Sequence, residues 1–426
     1  MPRNKYNSID LTELDWLTVF FYLALIIMGW LAIYSSIYNP KSPQSMFDFS
    51  NEAGRQFFWM GISLGVGCLV LILDYNFWTK SSILIYGGVI LLLLLVFPLG
   101  SSEKGAHAWF EIGPIKIQPA EFSKVGISLA LAYIFELQNE KVGNNKTTFL
   151  AVMTVIIPCI LILLENETGT VLILFSLIIM FYREGLHFSI PLIGITSALL
   201  FVGTFLIGEH YLAGAIGTIA LIIIVLVRKN IRMIFLVGGA LIFCLSVIYG
   251  SKFFVEDILQ KHQRERIYAL FDPESYSNTY GYQPMCSFKT IGHGGFSGRG
   301  RLEGELTHMD QVSYQHTDFV FSAIGEEVGW LGSSLVIIIY IALIIRLILL
   351  AERQKVRFSR VFGYSAASIL FFHLLINVGM TIGMMPVIGI PLPFFSYGGS
   401  SLITFTALVF IMLRLDVQRS KIFGRN

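Results

Sequence analysis

Residues 313–330 read SYQHTDFVFSAIGEEVGW. Asp318 stands at the head of a long apolar run, and Glu326 and Glu327 lie inside it. The run continues to about residue 349, long enough to cross a bilayer. The stretch therefore reads as a transmembrane helix that opens on a carboxylate at the membrane edge. Two more carboxylates lie deeper, where ionisable groups need partners.

The rest of the chain has the same character. Its 426 residues are 55% hydrophobic and 14% charged, against roughly 25% charged in an ordinary soluble domain. The mean hydropathy is +0.70. Apolar runs of about 15–25 residues fall near 14–36, 56–75, 81–98, 119–136, 147–164, 169–183, 188–207, 211–228, 232–252, 318–349, 361–383 and 394–414. The expected fold is all-α, a polytopic integral membrane protein of about twelve spans forming a single multi-span domain over 1–426. The first run is longer than a signal-peptide core and lacks a small-x-small cleavage site, so it reads as a retained anchor.

Basic residues set the orientation, because short cytoplasmic loops are enriched in Lys and Arg. Arg3 and Lys5, then Lys80, then Lys141 and Lys146, then Arg183, then Arg228, Lys229 and Arg232, then AERQKVRFSR (351–360) and the tail with Arg414, Arg419, Lys421 and Arg425 fall on one side. The opposite loops are poorer in cations. Both termini are therefore expected in the cytoplasm. Two segments on the other side are long: 99–118, and a large extracytoplasmic loop over 253–317.

Several chemistries are disfavoured. The net charge of +2 gives no sign of a nucleic-acid partner. The four cysteines contain no CxxC, so neither a disulfide frame nor a zinc site is indicated. The eight histidines lack HExxH spacing.

The residues that can do chemistry each carry a plainer reading. Asp318 or Thr317 can cap the helix N-terminus, which spacing alone favours, while a carboxylate at the membrane edge keeps a chemical role open. Glu326 and Glu327 read best as helix–helix pairing. The loop segments QKHQRERIYALFDPE (260–274) and SFKTIGHGGFSGRGRLEG (287–304) bring Arg264, Arg266, Lys289 and Arg299. These cations can hold a phosphate or simply attract anionic lipid heads. Trp109 is by default an interfacial anchor. Glu121 and Lys124 form an i,i+3 pair whose plainer reading is structural. The stretch GMMPVIGIPLPFFSYGGSSL (383–402), with Ser396, reads as a broken or re-entrant segment lining a cavity.

Together, KGAHAWF…IQPAEFSK, ENETGT, QRERIYALFDPE…GYQ, IGHGGFSGRG, HTDFVFSAIGEEVG and GIPLPFFSYGGSSL resemble the SEDS family (shape, elongation, division and sporulation) in motif order across about residues 104–402. The stretch from Cys286 to 306 is more similar to the RodA branch than to the FtsW branch. The family fold has about ten spans, which implies two extra helices inserted over 184–252. The resemblance implies a peptidoglycan glycosyltransferase, active in cell wall synthesis and cell shape on the extracytoplasmic face of the bacterial cytoplasmic membrane. Its substrate would be lipid II, its leaving group undecaprenyl pyrophosphate, and its partner a class B penicillin-binding protein. Asp318 occupies the position of the family's essential aspartate, between His316, Thr317 and the helix, and Trp109 that of the GA-x-x-W tryptophan.

On that reading Asp318 is the general base, and Trp109, Glu121, Lys124, Arg264, Arg266, Lys289, Arg299, His316, Thr317 and Ser396 bind substrate. No cofactor is implied, and a divalent cation such as Mg2+ beside the pyrophosphate is left open. The chain departs from the family pattern at Ala108, where an arginine usually stands, at Glu165–Thr170, where QPD-L-GT is usual, and at Val312–Tyr314, where a proline is usual. A flippase of the same lipid and a non-catalytic scaffold are the competing readings.

Overall fold

The computed structural model describes residues 11–42, 44–103, 106–113, 115–138, 145–308 and 315–423. Arg3, Lys5, Lys141, Arg425 and Val312–Tyr314 lie outside them. Two compact units emerge, one built from 11–186 and 286–423, the other from 187–285.

The first unit begins with α1 (Trp16–Ile37), α2 (Glu52–Ile72) and α3 (Tyr75–Leu99). Asp15 starts α1 by accepting the Thr18 amide at 3.2 Å, and Asn51 starts α2 by accepting the Gly54 amide at 2.9 Å. Both satisfy amides that a helix start leaves without an internal partner. Three short strands follow: β1 (Ser101–Glu103), β2 (Ala106–Ile112) and β3 (Ile115–Ile117), an antiparallel sheet in that order. This sheet was not expected from the sequence. Phe110 pairs with Ile117 and Glu111 with Lys116, whose charges meet at 3.4 Å. Gly113 supplies the positive φ of the turn.

Next come α4 (Pro119–Gln138), α5 (Asn145–Leu164) and the broken pair α6 (Thr168–Leu174) and α7 (Ile178–Arg183). The second unit contains α8 (Ser189–Ile207), α9 (Glu209–Leu226), α10 (Ile231–Phe253), α11 (Lys261–Phe271) and the first turn of α12 (Tyr282–Gly294). Lys252 pairs with Glu209, and Phe205 stacks on Phe271 at 5.4 Å. The first unit resumes with the rest of α12, then α13 (Glu305–His308), α14 (Val320–Glu352), α15 (Arg357–Thr381) and α16 (Gly399–Phe423). Among the described residues the polar stretch 253–317 carries the short helices α11, α12 and α13.

Each of the twelve apolar runs is helical. Among the described residues ten helices are long and apolar enough to cross a membrane. The other two runs are α4, interrupted by Glu121, Lys124 and Glu136, and the short stretch Thr168–Arg183. Helices α15 and α16 are mostly buried inside the first unit. In α15 the small residues Gly363, Ser365, Ala366, Ala367 and Ser368 let neighbouring helices approach closely.

Helix α14 is broken at Gly329, whose φ of 65° lies in the left-handed region. The 295–300 loop enters the break. Trp330 and Leu331 donate to the carbonyls of Gly295 and Phe296 at 3.0 and 3.1 Å, while Arg299 and Gly300 donate to the carbonyls of Glu326 and Glu327 at 3.0 and 3.1 Å. Backbone groups freed by the break are therefore satisfied by the loop rather than by lipid. At the other end of α14, Glu352 meets Arg183 at 2.8 Å, and nearby Glu184 meets Arg357 and Arg360 at 2.8 and 2.9 Å. That ionic network and Asp318 stand at opposite ends of the helix.

Candidate active site

Asp318 sits two residues ahead of α14 and is half-buried. The N-cap position is Phe319, whose side chain makes no cap hydrogen bond. What fixes Asp318 is the irregular segment between α15 and α16. Asn377 on α15 donates to the Asp318 carbonyl at 2.9 Å and to the Ile390 carbonyl at 2.8 Å. Ser396 donates to the Thr317 carbonyl at 2.5 Å and accepts the Leu392 amide at 2.7 Å. Tyr397 donates its amide to the His316 carbonyl at 2.8 Å, and the two rings meet edge to face.

The segment that carries these contacts is non-helical and apolar, with Ile390, Leu392, Phe394 and Phe395 buried. Its carbonyls are met one by one: Ile390 by Asn377, Pro391 by His373 at 3.0 Å, and Pro393 by Tyr340. Side chains of packed helices thus replace the ladder that a helix would supply, which is what irregular backbone inside a bundle requires. At Gly389 the backbone has φ 80°, and a Cβ there would lie 3.3 Å from Asp318 Oδ2. The left-handed backbone favours glycine there, and a Cβ would also require the Asp318 carboxylate to give way slightly.

Helix α4 brings the second pair of charges. Lys124 Nζ lies 2.6 Å from Glu121 Oε1, both side chains are buried, and the ammonium rests 5.0 Å from the Phe405 ring centre. Glu121 Oε2 has no hydrogen-bond partner. The turn 165–167 adds Glu167, which bonds to Gln118 and interacts electrostatically with Glu121, Lys124 and Asp318. Burial first, and then the charge of Glu121, raise the Glu167 carboxyl above the usual range, against the Gln118 hydrogen bond. Glu167 therefore links the Glu121–Lys124 pair on α4 to Asp318 at the head of α14. Such a set can accept a proton from a sugar hydroxyl while a fixed cation faces developing negative charge.

The remaining expected residues are placed as follows. Trp109 is half-buried on β2, opposite Ser101, whose hydroxyl bonds to the Trp109 carbonyl at 3.2 Å. Ala108 beside it is fully buried, so a methyl fills the place where the family pattern has an arginine. Lys289 is exposed on α12, and Arg299 is exposed with its Nε bonded to the His293 carbonyl at 2.9 Å. Arg264 and Arg266 belong to the second unit. There Arg264 reaches the Glu256 carbonyl at 3.0 Å, and Arg266 lies 5.3 Å from the Tyr280 ring centre.

Glu326 and Glu327 each reach a neighbouring helix, Glu326 through His293 of α12 and Glu327 through Ser35 of α1, and both also take up backbone amides of the 302–307 segment. Glu326 accepts from the amides of Leu306 and Thr307 at 2.9 and 2.8 Å, from the Thr307 hydroxyl at 2.6 Å, and from His293 at 2.8 Å. Glu327 accepts the Leu302 amide at 3.1 Å and bonds to the Ser35 side chain of α1. The two buried carboxylates anchor the 293–307 segment beneath the site. Glu167, Asn377 and His373 were not among the expected site residues. The only sequence signal for the latter two is a polar residue at i and i+4 in an apolar helix. Among the described residues no cluster of three or more His, Cys, Asp or Glu is placed to hold a metal ion.

The model of the FtsW–RodA–SpoVE cell cycle protein family matches residues 15–214 and 195–421. The chain belongs to this family. The FtsW–RodA–SpoVE resemblance read from the six motifs is borne out. A family relative, the peptidoglycan glycosyltransferase MrdB of Escherichia coli K12, is 28% identical over 98% of this chain and 97% of its own length. The peptidoglycan glycosyltransferase RodA of Treponema pallidum is 27% identical over 96% and 98%. Among solved structures, a chain of a peptidoglycan synthase complex that coordinates polymerization and crosslinking superposes with a TM-score of 0.67 at 26% identity, covering 95% of this chain and 98% of that one. The rod shape determining protein RodA of Thermus thermophilus, 23% identical, shares the fold with a TM-score of 0.61 over 95% and 97%.

Proposed function

We infer that this chain is a bacterial multi-pass membrane peptidoglycan glycosyltransferase, RodA-like, that polymerises lipid II into glycan strands during cell elongation. The observation that carries the reading is the half-buried Asp318 ahead of α14, its backbone tied to the 389–397 segment and its side chain in electrostatic contact with Glu167, which in turn interacts with Glu121 and Lys124.

In the proposed reaction the 4-hydroxyl of the acceptor sugar attacks the anomeric carbon of the donor. The new C–O bond forms as the bond from that carbon to the pyrophosphate oxygen breaks. Asp318 takes the hydroxyl proton, a step that typically contributes about 10²–10⁴-fold. The departing undecaprenyl pyrophosphate carries away the electron pair, and its negative charge favours fixed cations. Lys124 is the buried candidate; Lys289, Arg299, Arg264 and Arg266 are the exposed or partly exposed ones. A site at the end of a spanning helix suits a substrate whose polyprenyl tail stays in lipid while its sugars stand in water.

The alternation of basic loops supports cytoplasmic termini and an extracytoplasmic site. The likeness to a chain of a complex that couples polymerization to crosslinking supports a class B penicillin-binding protein as partner. Reconstitution with that partner and lipid II tests the reading. Wild type is expected to make glycan polymer, and Asp318→Ala to make none while still binding the partner. Undiminished polymer from Asp318→Ala would remove the base, and lipid transfer across vesicles without polymer would make the protein a flippase.

A further inference from the structure

Glu165 directly follows α5 and is fully buried, yet neither of its carboxylate oxygens has a hydrogen-bond partner. Its backbone, by contrast, is fully engaged. The amide donates to Leu161 and the carbonyl accepts from His107, each at 3.2 Å, which ties the 165–167 turn to β2. Asn166, with φ 63°, then reverses the chain and presents Glu167 two residues on.

An ionised carboxylate with neither water nor a donor is among the costliest groups a protein can bury, and the neutral acid avoids most of that cost. The charged groups on the surrounding elements offer no relief. Glu167 shares the turn, and β2 brings His107 and Glu111. Helix α4 brings Glu121 and Lys124, α15 brings His373, and Asp318 precedes α14, while the last two turns of α3 carry no charge. Lys124 is the one lysine in this group and is already paired with Glu121.

We propose that Glu165 is a positioning residue that serves in its neutral, protonated form, and that loss of its proton disarms the site by placing a second negative charge on the turn that holds Glu167. Burial and the Glu167 charge push the Glu165 carboxyl up to about 8. As pH rises past that point, repulsion within the turn weakens the placement of Glu167 against Gln118 and Lys124, and through Glu167 the setting of Asp318. The same ionisation lowers stability. A carboxyl whose folded value is raised favours the native state below its unfolded value, and that contribution is lost as pH rises through the folded one.

The activity readout rests on the polymerase reading above, so the test has two arms. In proteoliposomes with lipid II, the wild-type rate is expected to fall about fifteenfold from pH 8 to pH 9.5, following the protonated fraction. Glu165→Gln, a neutral group of the same shape, is expected to lose that alkaline limb while keeping activity near neutrality. An unchanged limb in Glu165→Gln overturns the proposal. The second arm needs no activity. Infrared titration of the detergent-solubilised full chain is expected to show a protonated-carboxyl C=O band at neutral pH that disappears near pH 8 and is missing in Glu165→Gln. A wild-type spectrum without that band overturns the proposal even if no polymer is made, whereas failure to polymerise with the band present condemns only the polymerase reading.

Discussion

The side-chain nitrogen of Asn377 bridges two backbone carbonyls, that of Asp318 at 2.9 Å and that of Ile390 at 2.8 Å. One buried amide thereby locks the residue ahead of α14 to the irregular segment behind it. Removing it leaves two carbonyls without their donor, at roughly 1–3 kcal/mol for a buried group. It also frees Asp318 to move, and a displacement of about 1 Å at a reacting group can cost 10²-fold. Asn377→Ala is expected to fold with a lowered melting temperature and to polymerise lipid II at least tenfold more slowly, with partner binding intact. A rate within twofold of wild type would show that Asp318 is placed by something else.

Gly389 tests the same placement from the other side. Alanine there would need a left-handed backbone, costing about 1–2 kcal/mol, and its methyl would sit 3.3 Å from Asp318 Oδ2. Gly389→Ala is therefore expected to lower turnover more than it lowers melting temperature, because the carboxylate is what must yield. Gly383 also has a positive φ but open space around its missing Cβ, so Gly383→Ala is the control: a comparable backbone penalty with little change in turnover per folded molecule.

The contrast between these residues shows what was legible from sequence. Lipid demands long uninterrupted apolar stretches, so the twelve runs could be read directly, and each is helical. Asp318, Glu121 and Lys124 stood out because charge in such a chain is scarce. Glu167 did not, because it lies in a four-residue polar turn that reads as a separator between two spans. Asn377 and His373 were hidden inside an apolar run, and their role depends on carbonyls some 13 and 18 residues away along the chain. The partners of Glu326 were equally invisible. Two of its four donors are backbone amides, of Leu306 and Thr307, which carry no side-chain signature, and the other two, the Thr307 hydroxyl and His293, lie 19 and 33 residues away along the chain. The β1–β3 sheet was missed because β1 and β3 have only three residues each, too short an alternation to mark the partners of the seven-residue β2.

Glu326 is expected to be a fold determinant rather than a catalyst. Its carboxylate accepts two amides, one hydroxyl and His293, and it is fully buried. Glu326→Ala strands those donors and is expected to cost on the order of 3–5 kcal/mol, as for a broken buried pair. Limited proteolysis reads the result locally: cleavage within 293–307 should accelerate well before the spanning helices are attacked. Equal protection of that segment in wild type and Glu326→Ala would mean that the loop in the α14 break holds it unaided.

The Glu121–Lys124 pair separates structure from chemistry. Both side chains are buried and meet at 2.6 Å, so removing either partner alone leaves an uncompensated charge, costing roughly 3–5 kcal/mol. Replacing both with neutral groups of similar size, Glu121→Gln with Lys124→Met, removes that penalty. The double variant is expected to melt closer to wild type than either single one. If the pair is only structural, polymer synthesis should recover along with stability. If Lys124 faces the departing pyrophosphate, the double variant should be stable and still slow by at least tenfold. Thermal melts and lipid II polymerisation on all four proteins decide it, since an ammonium needed at the transition state cannot be replaced by restoring the fold.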